Sequence, residues 1–277
     1  MGTRLSRQLS AVTGWMLPKW SAGPTEPHDL FTAAVAAGYE GVQVFLPDQA
    51  KEAREAGLGE TSGIGPARSV EEAEAMVGMW AGGGASSLTL HLGTGFESRD
   101  QAHALVEATL ASAGRHGVPL LVETHRATLF QDPARTLELV DAFPELRFTA
   151  DLSHWYTGVE MVYGDLEAKL SALAPVFARC RMIHGRISDP GCIQVAVGGV
   201  DDDSTYVEHF KQMWTLILQA CDAEGVDELP FVVELLPAGS FYARTVDGGD
   251  RGDGPQEEVD RWTQADVLWE IAAGLTP

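Results

Sequence analysis

The strongest constraint in this sequence is an alternation. Short apolar runs give way to amphipathic stretches from one end of the chain to the other, the pattern of parallel strands joined by crossover helices. Eight strand candidates stand out, at 10–17, 41–46, 61–65, 87–92, 119–124, 147–152, 181–187 and 231–236, the third being the weakest. Helical stretches lie between and after them, at 28–37, 49–56, 70–80, 99–116, 133–143, 166–178, 207–224 and 256–273. Eight strand–helix pairs within 277 residues predict one (β/α)8 barrel domain over 1–277. The punctuation agrees, with Gly38, Gly57, Gly117 and Gly225 each just past a helical run and Pro133 opening one. An open doubly wound sheet is the competing architecture. It would need a glycine-rich phosphate cradle after the first strand, and none is present. Gly82, Gly83 and Gly84 precede a strand and read as a flexible loop.

Two segments exceed the length of an ordinary βα connection, 188–205 and 237–255, and in a barrel they would overhang the catalytic mouth as lids. The Gly- and Asp-rich part of the second, 246–254, also suits a plain surface loop.

Polar residues then interrupt strands that should be apolar. Glu123 follows Leu120-Leu121-Val122, Asp151 follows Phe148-Thr149-Ala150, His184 follows Met182-Ile183, and Glu234 follows Phe231-Val232-Val233. Each stands at the C-terminal end of its strand, on four successive strands. Spacings of 28 and 33 residues from Glu123 to Asp151 to His184 are each about one βα repeat, and the 50 residues to Glu234 absorb the first long loop. A buried carboxylate is costly unless it is paired or ligates a cation, so three of them with an imidazole at one barrel mouth predict a bound divalent ion. A donor set of oxygen and nitrogen without thiolate favours Mn²⁺, Mg²⁺ or Co²⁺ over a structural zinc site, with a catalytic Zn²⁺ still compatible.

The motifs Val122-Glu123-Thr124-His125, Asp151-Leu152-Ser153-His154, Ile183-His184-Gly185-Arg186 and Val233-Glu234 resemble the xylose-isomerase-like TIM-barrel superfamily of sugar isomerases and epimerases. The resemblance implies one divalent ion held by Glu123, Asp151, His184 and Glu234. It also implies that Glu123 and Glu234 double as an acid/base pair on opposite faces of the substrate. His154 and Arg186 would bind substrate oxygens, although in those epimerases the arginine stands further beyond the ligand histidine.

The chemistry also follows from the residue types. A divalent ion bridging a carbonyl and a neighbouring hydroxyl stabilises an enediolate, and a carboxylate within reach acts as base. Return of the proton to the opposite face epimerises, and return to the adjacent carbon isomerises. Expulsion of a β-hydroxyl makes the same site a lyase or dehydratase. His91 ends strand four and is a candidate for substrate, a second metal or a hydrogen-bonded core position. Gln43 on strand two is expected to point along the rim toward a hydroxyl, and His125 and Arg126 are expected to orient the sugar. Trp155 and Tyr156 suit either ring stacking or core packing, and Gln194 is a weaker candidate.

Composition excludes other classes. With 19 Lys+Arg against 40 Asp+Glu, the formal charge of −21 repels nucleic acid and anionic membranes. That disfavours the three-zinc barrel endonucleases of abasic DNA, which would need further histidines on the third strand. It also points to a neutral or weakly charged small molecule. No run is long enough for a membrane helix, Met1 to Ser10 lack the apolar stretch of a secretory signal, and with three cysteines without paired spacing the expected compartment is the cytoplasm. A homo-oligomer fits the resemblance. A non-catalytic sugar- or partner-binding barrel is the last alternative, disfavoured by the intact ligand set.

Overall fold

In the computed structural model, which describes residues 2–248 and 255–275, eight parallel strands close into a barrel. They are β1 (Arg4–Ser10), β2 (Gly41–Val44), β3 (Glu60–Ala67), β4 (Leu88–Leu92), β5 (Leu120–Glu123), β6 (Phe148–Ala150), β7 (Cys180–Gly185) and β8 (Glu228–Val233). Closure comes from β8 lying parallel beside β1, with Arg4 opposite Glu228 and Leu9 opposite Val233. The helices outside are α1 (Leu30–Ala36), α2 (Pro47–Ala56), α3 (Val70–Trp80), α4 (Arg99–His116), α5 (Pro133–Ala142), α6 (Leu152–Gly158), α7 (Leu166–Phe177), α8 (Thr205–Ala223) and α9 (Arg261–Ala273). The architecture is the single (β/α)8 barrel that the alternation predicts.

Alternation within each strand sorts residues between two environments. Leu9, Val42, Val44, Leu88, Leu90, Val122, Phe148, Ile183 and Phe231 belong to the main hydrophobic core with the helices. The other face turns into the barrel and is largely polar. Ser6, Gln8, Gln43, Ser62, Thr89 and Thr149 are buried, Thr89 Oγ1 and Thr149 Oγ1 are 2.8 Å apart, and Leu121, Met182 and Val232 form a small apolar cluster of their own.

That polar interior explains the one misplaced strand. The apolar run 10–17 predicts the first strand, yet the strand is Arg4–Ser10, whose buried serines and glutamine disguise it. Residues Ala11–Gly14 instead form a buried 3-10 turn. The third strand, weakest in sequence, is eight residues long. Its glycines mark close packing. A Cβ on Gly63 would lie 2.4 Å from the Trp80 ring, and one on Gly65 would lie 2.3 Å from Met76 Cε.

Two further corrections concern the C-terminal half. The last helix begins at Arg261 rather than 256, because Pro255–Glu257 pairs antiparallel with Thr245–Asp247 as a two-stranded flap, β10 with β9. The expected surface loop at 246–254 falls mostly on 249–254, outside the described residues. The seven-residue α6 is too short to announce itself by periodicity. No helix among the described residues is long and apolar enough to cross a membrane.

Candidate metal centre

The strand ends deliver four ligand atoms to one point. Glu123 is the last residue of β5, His184 lies one residue before the end of β7, and Asp151 and Glu234 directly follow β6 and β8. One donor atom from each of the four lies within 4.8 Å of the others. His184 Nδ1 is 3.4 Å from Glu234 Oε2, 3.6 Å from Glu123 Oε2 and 4.0 Å from Asp151 Oδ2. The first three side chains are fully buried and Glu234 is 6% exposed.

Each ligand is aimed by a neighbour. The β6–β7 pairing slips at Phe148/Thr149, just before Asp151, the kind of irregularity that re-aims side chains near a site. Asp151 Oδ1 accepts hydrogen bonds from Ser153 N and Ser153 Oγ, leaving Oδ2 for the centre. His184 Nε2 lies 3.0 Å from Gln43 Oε1. Donation from Nε2 to that amide oxygen leaves Nδ1 as the nitrogen turned toward the three carboxylates, the one that a metal ion would take in place of a proton. Thr13 clamps the backbone on both sides of Glu234, donating through Oγ1 to Val233 O and accepting from Leu235 N.

The donor set passes the test for a divalent cation. Glu123 Oε1 and His184 Nδ1 are buried without a hydrogen-bond partner, and Asp151 Oδ2 has only its ion pair with Arg186. Buried polar atoms rarely stay so, and a cation coordinated by oxygen and imidazole ligands would satisfy all three.

Charge in the site is partly balanced by Arg186. Its guanidinium is buried, with Nη2 2.9 Å from Asp151 Oδ2 and in contact with Glu234 Oε2, while Nε and Nη1 have no hydrogen-bond partner. Burial pushes the Glu123 carboxyl up, but His91 and His184 outweigh it and hold it well below the usual range. Burial, with repulsion from Glu123 and Glu234, raises Asp151 despite Arg186.

Three imidazoles form a row beside Glu123. His91 Nε2 is 2.8 Å from Glu123 Oε2, its ring stacks 4.2 Å from His125, and His125 lies 4.0 Å from His154. Burial lowers His125 to about 4, which keeps it neutral near pH 7. Both nitrogens of the buried His154 lack a hydrogen-bond partner.

Gln43 differs from expectation. It is fully buried inside the barrel and uses its amide on His184 and Thr89 rather than along the rim. A polar residue on a lumen-facing strand position supports a ligand from beneath instead of meeting a hydroxyl. Trp155 and Tyr156 pack in the core, Trp155 Nε1 donating to Phe130 O. Gln194 joins the two long loops, its amide exchanging hydrogen bonds with Leu236 N and O.

Sequence patterning missed Tyr242, because it arrives from a long loop rather than a strand end. Its hydroxyl is 3.1 Å from His125 Nε2, and the guanidiniums of Arg126 and Arg186 lie over its ring, at 4.3 and 5.1 Å from the centroid. Arg244, two residues on, fastens this loop through hydrogen bonds to Glu258 and Asp189.

No protein-family model matches the chain, and no curated protein matches it. Solved structures do. A sugar phosphate isomerase/epimerase from Parabacteroides distasonis superposes with TM-score 0.61 at 12% identity, over 99% of this chain and 97% of that one. A xylose isomerase-like TIM barrel protein from Mycobacterium smegmatis, in complex with magnesium, gives 0.55 at 12% identity over 96% and 95%. The chain has the fold of a xylose isomerase-like TIM barrel. The probable 3-DHS dehydratase AsbF from Bacillus anthracis, involved in petrobactin synthesis, shares this xylose isomerase-like fold with TM-score 0.52 and 13% identity over 96% and 97%. One fold thus carries proteins described by different reactions, so the reaction must be argued from the site.

Proposed function

We propose that this protein is a divalent-metal-dependent isomerase or epimerase of a small keto- or hydroxy-sugar, cyclitol or related polyol. The observation that carries the proposal is the convergence of Glu123, Asp151, His184 and Glu234 within 4.8 Å at the C-terminal mouth, where barrel enzymes place their chemistry. Mn²⁺, Mg²⁺ or Co²⁺ suits the donors, and a bound ion would supply Lewis-acid stabilisation of negative charge developing on a carbonyl oxygen and the adjacent hydroxyl.

The chain's own residues do the rest. Glu123 and Glu234 come from strands β5 and β8, well separated around the ring, so one can take the proton next to the carbonyl while the other returns it. Each is oriented by partners that are themselves held, Glu123 by His91 and Glu234 by Arg186. His154, with its two unpartnered nitrogens, is the group to bind a substrate hydroxyl.

The lyase reading retains one specific support. Expelling a hydroxyl needs an acid at the leaving oxygen, and Tyr242, hydrogen-bonded to His125 in the row of imidazoles, supplies a protonated hydroxyl. Both readings begin with the same proton abstraction. Candidate ketoses and inososes incubated with the protein and Mn²⁺ in D₂O are therefore expected to gain deuterium at the carbon beside the carbonyl. An unsaturated product detected by its ultraviolet absorbance would select elimination over isomerisation. No label across the panel would contradict both.

A further inference from the structure

We infer that the site includes an anion subsite, formed by Arg126, Tyr242 and Arg186, and that the substrate is a polyol carrying a terminal carboxylate or phosphate. The inference rests on the polyol reading above and narrows it. It departs from the neutral substrate that the overall charge of −21 suggests, because local geometry can reverse the sign of a mean field.

Two guanidiniums lie over the Tyr242 ring, that of Arg126 at 4.3 Å from its centroid and that of Arg186 at 5.1 Å. Arg186 is fully buried, yet its Nε and Nη1 have no hydrogen-bond partner. Its Nη2 alone is engaged, on Asp151 and Glu234. Two buried unpartnered donors on a permanent cation are costly unless a ligand accepts from them. Arg126 has no carboxylate within 4.0 Å among the described residues, in a chain where acids outnumber bases 40 to 19. It is held by the Tyr242 ring instead, and it leaves the neighbouring loop through Ala127, whose φ of +58° is a strained backbone for a residue with a side chain. His154, also buried with both ring nitrogens unpartnered, faces the same ring edge-on at 6.0 Å. A neutral hydroxyl would satisfy one such group. An oxyanion can accept from several donors at once, and guanidiniums bind carboxylate and phosphate more strongly than neutral oxygen. The anionic end would then sit against Tyr242 while the hydroxyl-bearing end reaches the Glu123–Glu234 pair.

The test uses the Mn²⁺-loaded protein and three probes. D-Gluconate and D-glucitol differ only in a carboxylate for a hydroxymethyl group, and D-glucitol 6-phosphate places a phosphate at the chain end. Calorimetric dissociation constants are expected to favour at least one anion over glucitol by about tenfold or more, the scale of one charge-assisted hydrogen bond. Arg126→Ala is expected to reduce that preference to about twofold or less, and Arg126→Lys to keep most of it. Which anion shows the Arg126-dependent gain tells a carboxylate from a phosphate substrate. Equal affinity for all three probes, binding of none, or a preference untouched by Arg126→Ala, as chelation by the metal alone would give, overturns the subsite. Label exchange into neutral ketoses without an anion preference would sink this inference alone. An Arg126-dependent preference without exchange into any polyol would sink the proposed reaction alone.

Discussion

Glu123→Gln is expected to leave a folded barrel that has lost about 10³-fold or more of its exchange activity, since one change removes a proton-transfer group and a metal ligand together. The isosteric amide keeps the shape of the fully buried side chain but neither the charge nor the basicity. Affinity for Mn²⁺ is expected to fall at least about a hundredfold, more than loss of an outer-shell support would cost. The metal-free variant is expected to be somewhat less stable as well, because His91 and His184 favour the ionised Glu123 carboxylate in the folded state and the neutral amide loses that attraction. Thermal melts with and without Mn²⁺ separate these effects. The wild type should gain stability from the ion and the variant little. A Glu123→Gln protein with full activity, or one stabilised by the ion as much as the wild type, would remove Glu123 from both roles.

Arg261→Met is expected to have the largest effect on stability. Arg261, at the start of α9, is 1% exposed, and its guanidinium donates to five acceptors. They are Glu257 Oε2, the carbonyls of Val12 and Thr13, and those of Trp15 and Met16. Methionine fills similar space and satisfies none of them, leaving the Glu257 carboxylate buried without its guanidinium. Breaking a buried pair in this way costs about 3–5 kcal/mol, or a melting temperature lower by about 10 °C at this chain length. Activity should also fall, because the carbonyl of Thr13 is one of the five and Thr13 clamps the backbone at Glu234. A melting temperature within about 2 °C of wild type would contradict the buried-hub account.

The sequence made the helices other than α6, and seven of the strands, legible for one reason: each contributes an apolar face to the layer that strands and helices share. β1 escaped because its inward face is serine and glutamine, and the apolar run beside it is a buried turn rather than a strand. The four ligands were legible because a carboxylate or imidazole ending an apolar strand has few explanations other than a partner or an ion. Gln43 drew notice on the same grounds, yet a linear pattern cannot tell a lumen-facing amide beneath a ligand from one on the rim. Tyr242 and Arg244 left no periodic trace. They reach the mouth through a long loop whose position depends on Gln194 and on the pairing of Arg244 with Asp189 and Glu258, contacts spread over more than sixty residues of sequence.

The central claim is that Glu123, Asp151, His184 and Glu234 hold one divalent cation. Calorimetric titration of the chelator-treated protein with Mn²⁺, beside a His184→Ala variant, tests it directly. The account predicts one ion bound per chain by the wild type, with affinity at least about a hundredfold weaker in the variant. Absence of stoichiometric binding by the wild type, or equal binding by both proteins, would contradict it.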